Sequence, residues 1–235
     1  MYYEPGTSHH GLPFDPFKSC VVPRPIGWLS TLSVDGVANL APFSQFNNAT
    51  FDPPYVMAAC NANFDGREKD TVVNIERTGE FVWNMATYDL REAVVISSRE
   101  FGPEIDEFEV TGLTKAASCL VKPPRVAESP VNFECKLHTT VFIPGDSPMG
   151  SFTLIIGRVV AVHIADGYIR PDGRLDIERI RPLARMGYHD YTSISEVFTM
   201  APQTSAIAQA GQEGNTEKIH AAMILAAKSG VANIL

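Results

Sequence analysis

From Ile26 the pattern of apolar and polar positions turns to that of strands. Ile26–Val34 is rich in apolar and β-branched residues, Asp35-Gly36 suits the positive φ angles of a tight turn, and Val37–Ala41 returns antiparallel. Tyr55–Cys60 reads as a third short strand, launched by Pro53-Pro54, a pair that cannot sit inside a central ladder. The period then changes. Thr71–Thr78 turns Val72 and Ile75, with Val73 beside them, inward, with Asp70 as N-cap and Gly79 just past the end, so a helix is predicted. Glu80–Met85 returns to strand. Leu90–Ser97 fits a second helix, with Asp89 and Glu92 spaced as a capping box. Residues 99–131, punctuated by Pro103, Pro123, Pro124 and Pro130, read as irregular. Two long strand-like runs follow, Phe133–Phe142 and Phe152–His163, with a further turn at Pro171–Arg174.

Hairpin strands, an isolated helix and more hairpin strands favour an antiparallel barrel or sandwich with helices attached over an alternating parallel sheet. Residues 1–17, with Pro5, Pro13 and Pro16, read as an irregular arm. After Pro202 the texture shifts: Gln203–Gly214 is small and polar. Thr216–Lys228 is an alanine-rich helix capped by Asn215 or Thr216, with Gly230 beyond it. Ile219, Ala222, Met223 and Ala226 give that helix an apolar stripe. The expected organisation is an arm (1–17), a main domain (18–203) and a helical tail (204–235) packed on the barrel or on a second subunit.

Composition narrows the class. With 235 residues, 45% hydrophobic and 20% charged, a sizeable core is available. A net charge of −8 supplies no basic footprint for nucleic acid and no general attraction to anionic lipid. No apolar run approaches the ~20 residues of a membrane span, and the N-terminus lacks the pattern of a signal peptide. A cytoplasmic protein is expected, with no membrane and no nucleic-acid partner. Cys20, Cys60, Cys119 and Cys135 form no C-x-x-C pair and read as reduced thiols rather than a zinc site. His9-His10 lies in the arm; His138 and His163 fall in strand-like runs and read as structural, so no metal site is expected.

The sequence contains no dinucleotide-binding glycine fingerprint, P-loop, H-E-x-x-H or nucleophile elbow. The positive signal is a cluster: Ser44, Gln45, Asn47, Asn48 and Thr50 crowd into seven positions, interleaved with Pro42, Phe43, Phe46 and Phe51. A solvated turn and a ligand pocket both fit that pattern, since pockets combine apolar walls with a few orienting polar groups.

Four blocks sharpen the choice. Pro23-Arg24-Pro25-Ile26-Gly27-Trp28-Leu29-Ser30-Thr31 resembles the opening signature of the flavin reductase-like, FMN-binding split-barrel family, as does Asn39-Leu40-Ala41-Pro42-Phe43-Ser44 followed by Asp52-Pro53-Pro54. Lys69-Asp70-Thr71, Asn74-Ile75 and Thr78-Gly79-Glu80-Phe81 resemble its helix–strand junction, and Leu183-Ala184-Arg185-Met186-Gly187-Tyr188 with Asp190-Tyr191 its late block. The blocks run in the family's order from residue 21 to about 202.

The resemblance implies a mainly β protein: an antiparallel Greek-key split β-barrel with flanking α-helices, here with a C-terminal helical extension. It implies a homodimer holding FMN near the subunit interface. It further implies hydride transfer from NADH or NADPH to flavin, with electrons passed to an acceptor such as free flavin, a partner oxygenase or a redox protein. Two other readings stand beside it: a non-catalytic FMN electron carrier of the flavoredoxin type, and a flavin-free dimeric binding module. Carried onto this chain, the loop bearing Ser44, Gln45, Phe46, Asn47, Asn48 and Thr50 would meet the flavin's polar edge, and Trp28 would offer an apolar face. Lys69 and Thr71, at a helix start with free N–H groups, would gather the phosphate, which carries about −1.5 to −2 charges. Cys60, Asn61 and Arg67 lie on the segment leading there. Ser151, beside Met149-Gly150, would close the pocket, where family members often show a His-type residue and this chain reads Ser147-Pro148-Met149-Gly150-Ser151. Arg185 would reach the flavin or the partner subunit, or form a structural ion pair. No catalytic side chain is expected, because the cofactor carries the chemistry.

Overall fold

The structure, a computed structural model, describes residues 1–200 and 205–228. In chain order its elements are β1 (Arg24–Pro25), β2 (Gly27–Leu32), β3 (Ala38–Phe43), β4 (Phe46–Phe51), β5 (Pro54–Asn61), α1 (Asp70–Thr78), β6 (Glu80–Met85) and α2 (Arg91–Ile96). There follow α3 (Glu107–Thr111), β7 (Lys115–Ala116), β8 (Arg125–Val126), β9 (Val131–Ile143), β10 (Phe152–Ile164), α4 (Ile177–Ile180), β11 (Leu183–Gly187), β12 (Asp190–Ser193), α5 (Ala206–Gln212) and α6 (Thr216–Lys228). The chain divides into two compact units, Met1–Glu196 and Val197–Leu235.

The first unit is built on a seven-stranded sheet in the order β3-β2-β6-β9-β10-β5-β4, every neighbouring pair antiparallel. The two edge strands of this order, β3 and β4, are consecutive in the chain and separated only by Ser44-Gln45. Two residues span at most about 7 Å, so the edges must come together and the sheet must roll up. Gly27 on β2 confirms the approach: a Cβ there would stand 2.7 Å from the ring of Phe46 on β4. No ladder of hydrogen bonds joins β3 to β4, and the expected antiparallel split barrel is the result.

Strand β2 is sheathed on both faces. Leu29 packs inside the barrel with Val56, Ile75, Phe81 and Ile155, and α1 contributes Val72 and Ile75 as its period predicts. Trp28 points to the opposite face, into a second cluster with Leu40, Val94, Phe108 and Val126. Helix α1 ends as expected at Gly79, whose φ of 72° few other residues adopt at low cost. Its start differs: Lys69 is the N-cap residue and Asp70 the first helical one, with no side-chain cap. Asp89 caps nothing either, because α2 begins at Arg91 with Leu90 in the cap position.

Two further expectations are corrected. The 44–50 segment is largely strand, not loop: Phe46, Asn47, Asn48 and Thr50 pair with β5 through a bulge between Asn48 and Thr50. Edge exposure explains the polar composition, since the outer residues of β4 have nothing apolar to cover. Residues 99–131 contain α3 and the β7–β8 pair, held by two buried carboxylates. Glu107 accepts from the Leu40 N–H at 2.9 Å and from the Asn39 amide at 3.1 and 3.2 Å. Glu134 accepts from the backbone N–H groups of Cys119, Leu120 and Val121.

In the second unit, α6 spans Thr216–Lys228 as predicted, with Asn215 Oδ1 accepting from Lys218 N at 3.0 Å as a cap should. Helix α5 was not legible in the small polar run; Ser205 caps it through a 3.3 Å bond from Ala208 N. Gly230, expected beyond α6, lies outside the described residues.

Candidate functional site

A polar cleft opens where the end of β3, the start of α1 and the segment after α2 converge. Ala41, Pro42 and Phe43 form one wall, Lys69 to Thr71 a second, and Ser97 to Phe101 a third. The N–H groups of Asp70 and Thr71, the first of α1, donate to no partner among the described residues, as the first turn of a helix dictates. Lys69 and Arg99 bring positive charge to the rim. Lys69 Nζ lies 2.7 Å from Glu100 Oε1, and its side chain retains 28% exposure. Burial raises the Asp70 carboxyl, while Arg67 and Lys69 pull it down and Glu104 pushes it up. At the cleft floor, burial likewise raises Glu107, against the Leu40 N–H and Asn39 bonds that favour its charged form. The cleft is therefore mixed in sign, with the free N–H donors and Lys69 at the α1 end and Arg99 on the opposite wall.

The structure divides the predicted site residues among several places. Lys69 and Thr71 share the cleft, but the Thr71 hydroxyl is buried and donates to Asn39 Oδ1 at 2.8 Å, so it is committed to the fold. Phe46, Asn47 and Asn48 line a different, apolar pocket with Ile26, Trp83 and Phe133; the Phe46 ring stacks on Trp83 at 5.4 Å. Ser44 and Gln45 form the turn between β3 and β4, and Thr50 is exposed on the edge. Asn61 closes β5 opposite Phe152, beside Ser151, whose carbonyl accepts from Ala62 N at 2.9 Å. The Ser151 hydroxyl accepts from Gly145 N at 3.0 Å and braces its own loop. Arg67 is exposed and pairs with Asp65 at 2.6 Å.

Three predicted site residues have their side chains engaged within the fold. Trp28 has no exposed surface and donates Nε1–H to Ser97 Oγ at 3.0 Å, so it has no face left for a ligand. Cys60 is also core, and burial pushes its thiol far up. Arg185 forms no ion pair among the described residues, so that alternative drops out: its guanidinium donates to the Tyr191 hydroxyl and the Tyr188 carbonyl and lies over the Tyr191 ring.

Ser98, Arg99 and Phe101 also line the cleft, and the sequence does not mark them as site residues. Their only sequence signal was a pair of serines and an arginine following an apolar helix, a pattern common at helix ends.

The comparisons with known proteins agree with this architecture. A family model described as flavin reductase like domain matches residues 19–183. An uncharacterised protein of Aquifex aeolicus is 41% identical over 167 residues, covering 71% of this chain and 82% of its own. Among solved structures, nitrilotriacetate monooxygenase component B from Bacillus cereus superposes with a TM-score of 0.77 at 27% identity, covering 85% of this chain and 98% of that one. The 2-nitrobenzoate 2-nitroreductase NbaA of Pseudomonas fluorescens gives 0.69 at 28% identity, covering 80% and 89%.

Proposed function

Since the chain belongs to the flavin reductase-like family, we propose that it binds FMN and passes a hydride from NADH or NADPH to it, with electrons relayed to an acceptor. The observation that carries this reading is the cleft at the start of α1, where two unpartnered N–H groups, Lys69 and Arg99 converge beside the apolar wall of Ala41, Pro42 and Phe43. A phosphate dianion suits that end: the helix dipole and backbone donors favour negative charge, and both cations lie within the same lining. Lys69 would release Glu100 and turn to the phosphate. The end of β3 would supply the apolar surface for a flat ring.

Bound flavin supplies the redox chemistry, which requires no nucleophile or acid–base pair from the protein. The chain's contribution is to hold the phosphate, orient the ring and limit water around it. Phe46, Asn47 and Asn48 belong to a separate pocket in one subunit. Their role at the ring edge rests on the proposed homodimer, whose partner subunit would complete the site. The chain's own structural relatives include one named as a monooxygenase component and one as a nitroreductase, which supports a redox partner or a small oxidant as the final acceptor.

The test is a visible spectrum of the purified protein reconstituted with FMN, followed anaerobically on mixing with NADH and then NADPH. Bleaching of the flavin bands by either supports the reductase. FMN binding without bleaching by either overturns the hydride step and leaves an electron carrier. Failure to bind FMN overturns the whole reading.

A further inference from the structure

Apart from the cleft, one cluster of chemistry-bearing side chains has no part in the proposed function. Cys119, Glu134 and His163 each bring one ligating atom to within 4.8 Å of the other two. Glu134 on β9 and His163 on β10 come from adjacent strands: Ala161 is the register partner of Glu134, and His163 is two residues on, on the same face. The imidazole Nε2 lies 2.5 Å from Glu134 Oε1. Cys119 sits on the loop that this same carboxylate fastens to the sheet, its N–H donating to Oε1 at 2.7 Å. Two ligands therefore stand on rigid strands, and the third is tied to one of them.

From this geometry we propose that Cys119, Glu134 and His163 bind a divalent transition-metal ion of the zinc type. The donor set of one thiolate, one imidazole and one carboxylate suits a borderline-soft cation and is poor for calcium or magnesium, which take oxygen ligands. The charges balance. Binding releases the thiol proton, and the resulting thiolate and the carboxylate together neutralise the ion's two positive charges. Glu134 is wholly buried and His163 is 23% exposed, while Cys119 is exposed, so three ligands come from the protein and the fourth position faces solvent. The metal would take the place of the hydrogen bond between imidazole and carboxylate, with Oε2 of Glu134 still held by the Leu120 and Val121 N–H groups. The rival account is a plain loop clamp, in which carboxylate, histidine and backbone donors satisfy one another and the thiol is a bystander.

Titration of chelator-treated protein with Co²⁺ separates the two, because a thiolate ligand produces a sulfur-to-cobalt charge-transfer band. One equivalent should develop this band, and Zn²⁺ should bleach it. Cys119→Ser should abolish it, whereas Cys20→Ser, at the other exposed thiol, should leave it intact. Loss of an outer-shell partner commonly weakens metal binding about 10- to 100-fold, so His163→Gln, which removes a direct ligand, should weaken it by more than about 100-fold. No charge-transfer band with Co²⁺, or a band that survives Cys119→Ser, overturns the proposal. Circular dichroism of each variant guards against loss through unfolding.

Discussion

Replacing Lys69 with alanine isolates the part of FMN affinity that depends on the phosphate. The ammonium now sits 2.7 Å from Glu100, whose side chain is 45% exposed. An ion pair that open to water contributes about 0–1 kcal/mol, so releasing it to reach a phosphate costs at most that much. The charge-assisted hydrogen bond gained in exchange has a typical scale of about 1.5–3 kcal/mol. The difference gives a net loss for Lys69→Ala of about 0.5–3 kcal/mol, which is roughly 2- to 160-fold in dissociation constant. Quenching of flavin fluorescence at low ionic strength measures it, with riboflavin as the control ligand lacking the phosphate. Riboflavin affinity should not change, and Lys69→Arg should recover most of the lost FMN affinity. Glu100→Gln removes the competing partner and should tighten FMN binding modestly. The reasoning is refuted if Lys69→Ala leaves FMN affinity untouched, or weakens FMN and riboflavin alike.

Other expectations concern stability. Burial would raise the Glu134 carboxyl, but bonds from the Cys119 N–H, His163 and the Leu120 N–H hold it below its ordinary value. The folded protein therefore binds fewer protons than the unfolded chain between the two pKa values, and stability should rise with pH through that window and fall as acid is added. In Glu134→Gln that slope should flatten, and stability at neutral pH should drop by about 1–3 kcal/mol, the cost of leaving buried N–H donors poorly matched; acid and urea titrations read both effects. Trp28→Phe, which deprives Ser97 Oγ of its donor, should cost about 1–3 kcal/mol in urea unfolding and leave FMN affinity unchanged. A shift in affinity would return Trp28 to the site. Gly27→Ala should destabilise by about 1–3 kcal/mol and alter the near-UV dichroism of Trp83, because the new methyl meets Phe46 at 2.7–2.9 Å. A neutral outcome would mean that β2 and β4 do not approach as closely as the rolled sheet requires.

Where periodicity and burial agree, the chain was readable. Helix α1, the β2–β3 hairpin and the β9–β10 pair are each local patterns whose apolar face is the face that packs. What escaped was nonlocal. Trp28 looked available because a strand's alternation says which residues share a face, not whether both faces are covered; here α2 covers the second. β4 reads as loop because an edge strand can be Asn- and Thr-rich when its outer groups meet water. Glu107 and Glu134 were invisible because their partners, Asn39, Leu40 and Cys119 to Val121, stand many residues away and offer mostly backbone donors. In the cleft, Lys69 was legible from its place at a helix start, whereas Arg99 depends on how α2 is turned.

The Ser44-Gln45 turn has a consequence for solubility. An open sheet exposes two rows of unpaired peptide groups, each able to template a strand from another molecule, and proteins commonly deter this with charged residues along the edge. Neither β3 nor β4 contains a single Lys, Arg, Asp or Glu, although the chain as a whole carries 46 such residues counted as 19 basic and 27 acidic. Deterrence here is geometric. Each edge is leashed to the other by two residues, so neither can swing outward to recruit a foreign strand while its neighbour stays in place. Loosening that leash with a glycine-rich insertion would expose two uncharged edges at once, turning a stable barrel into a nucleus for aggregation.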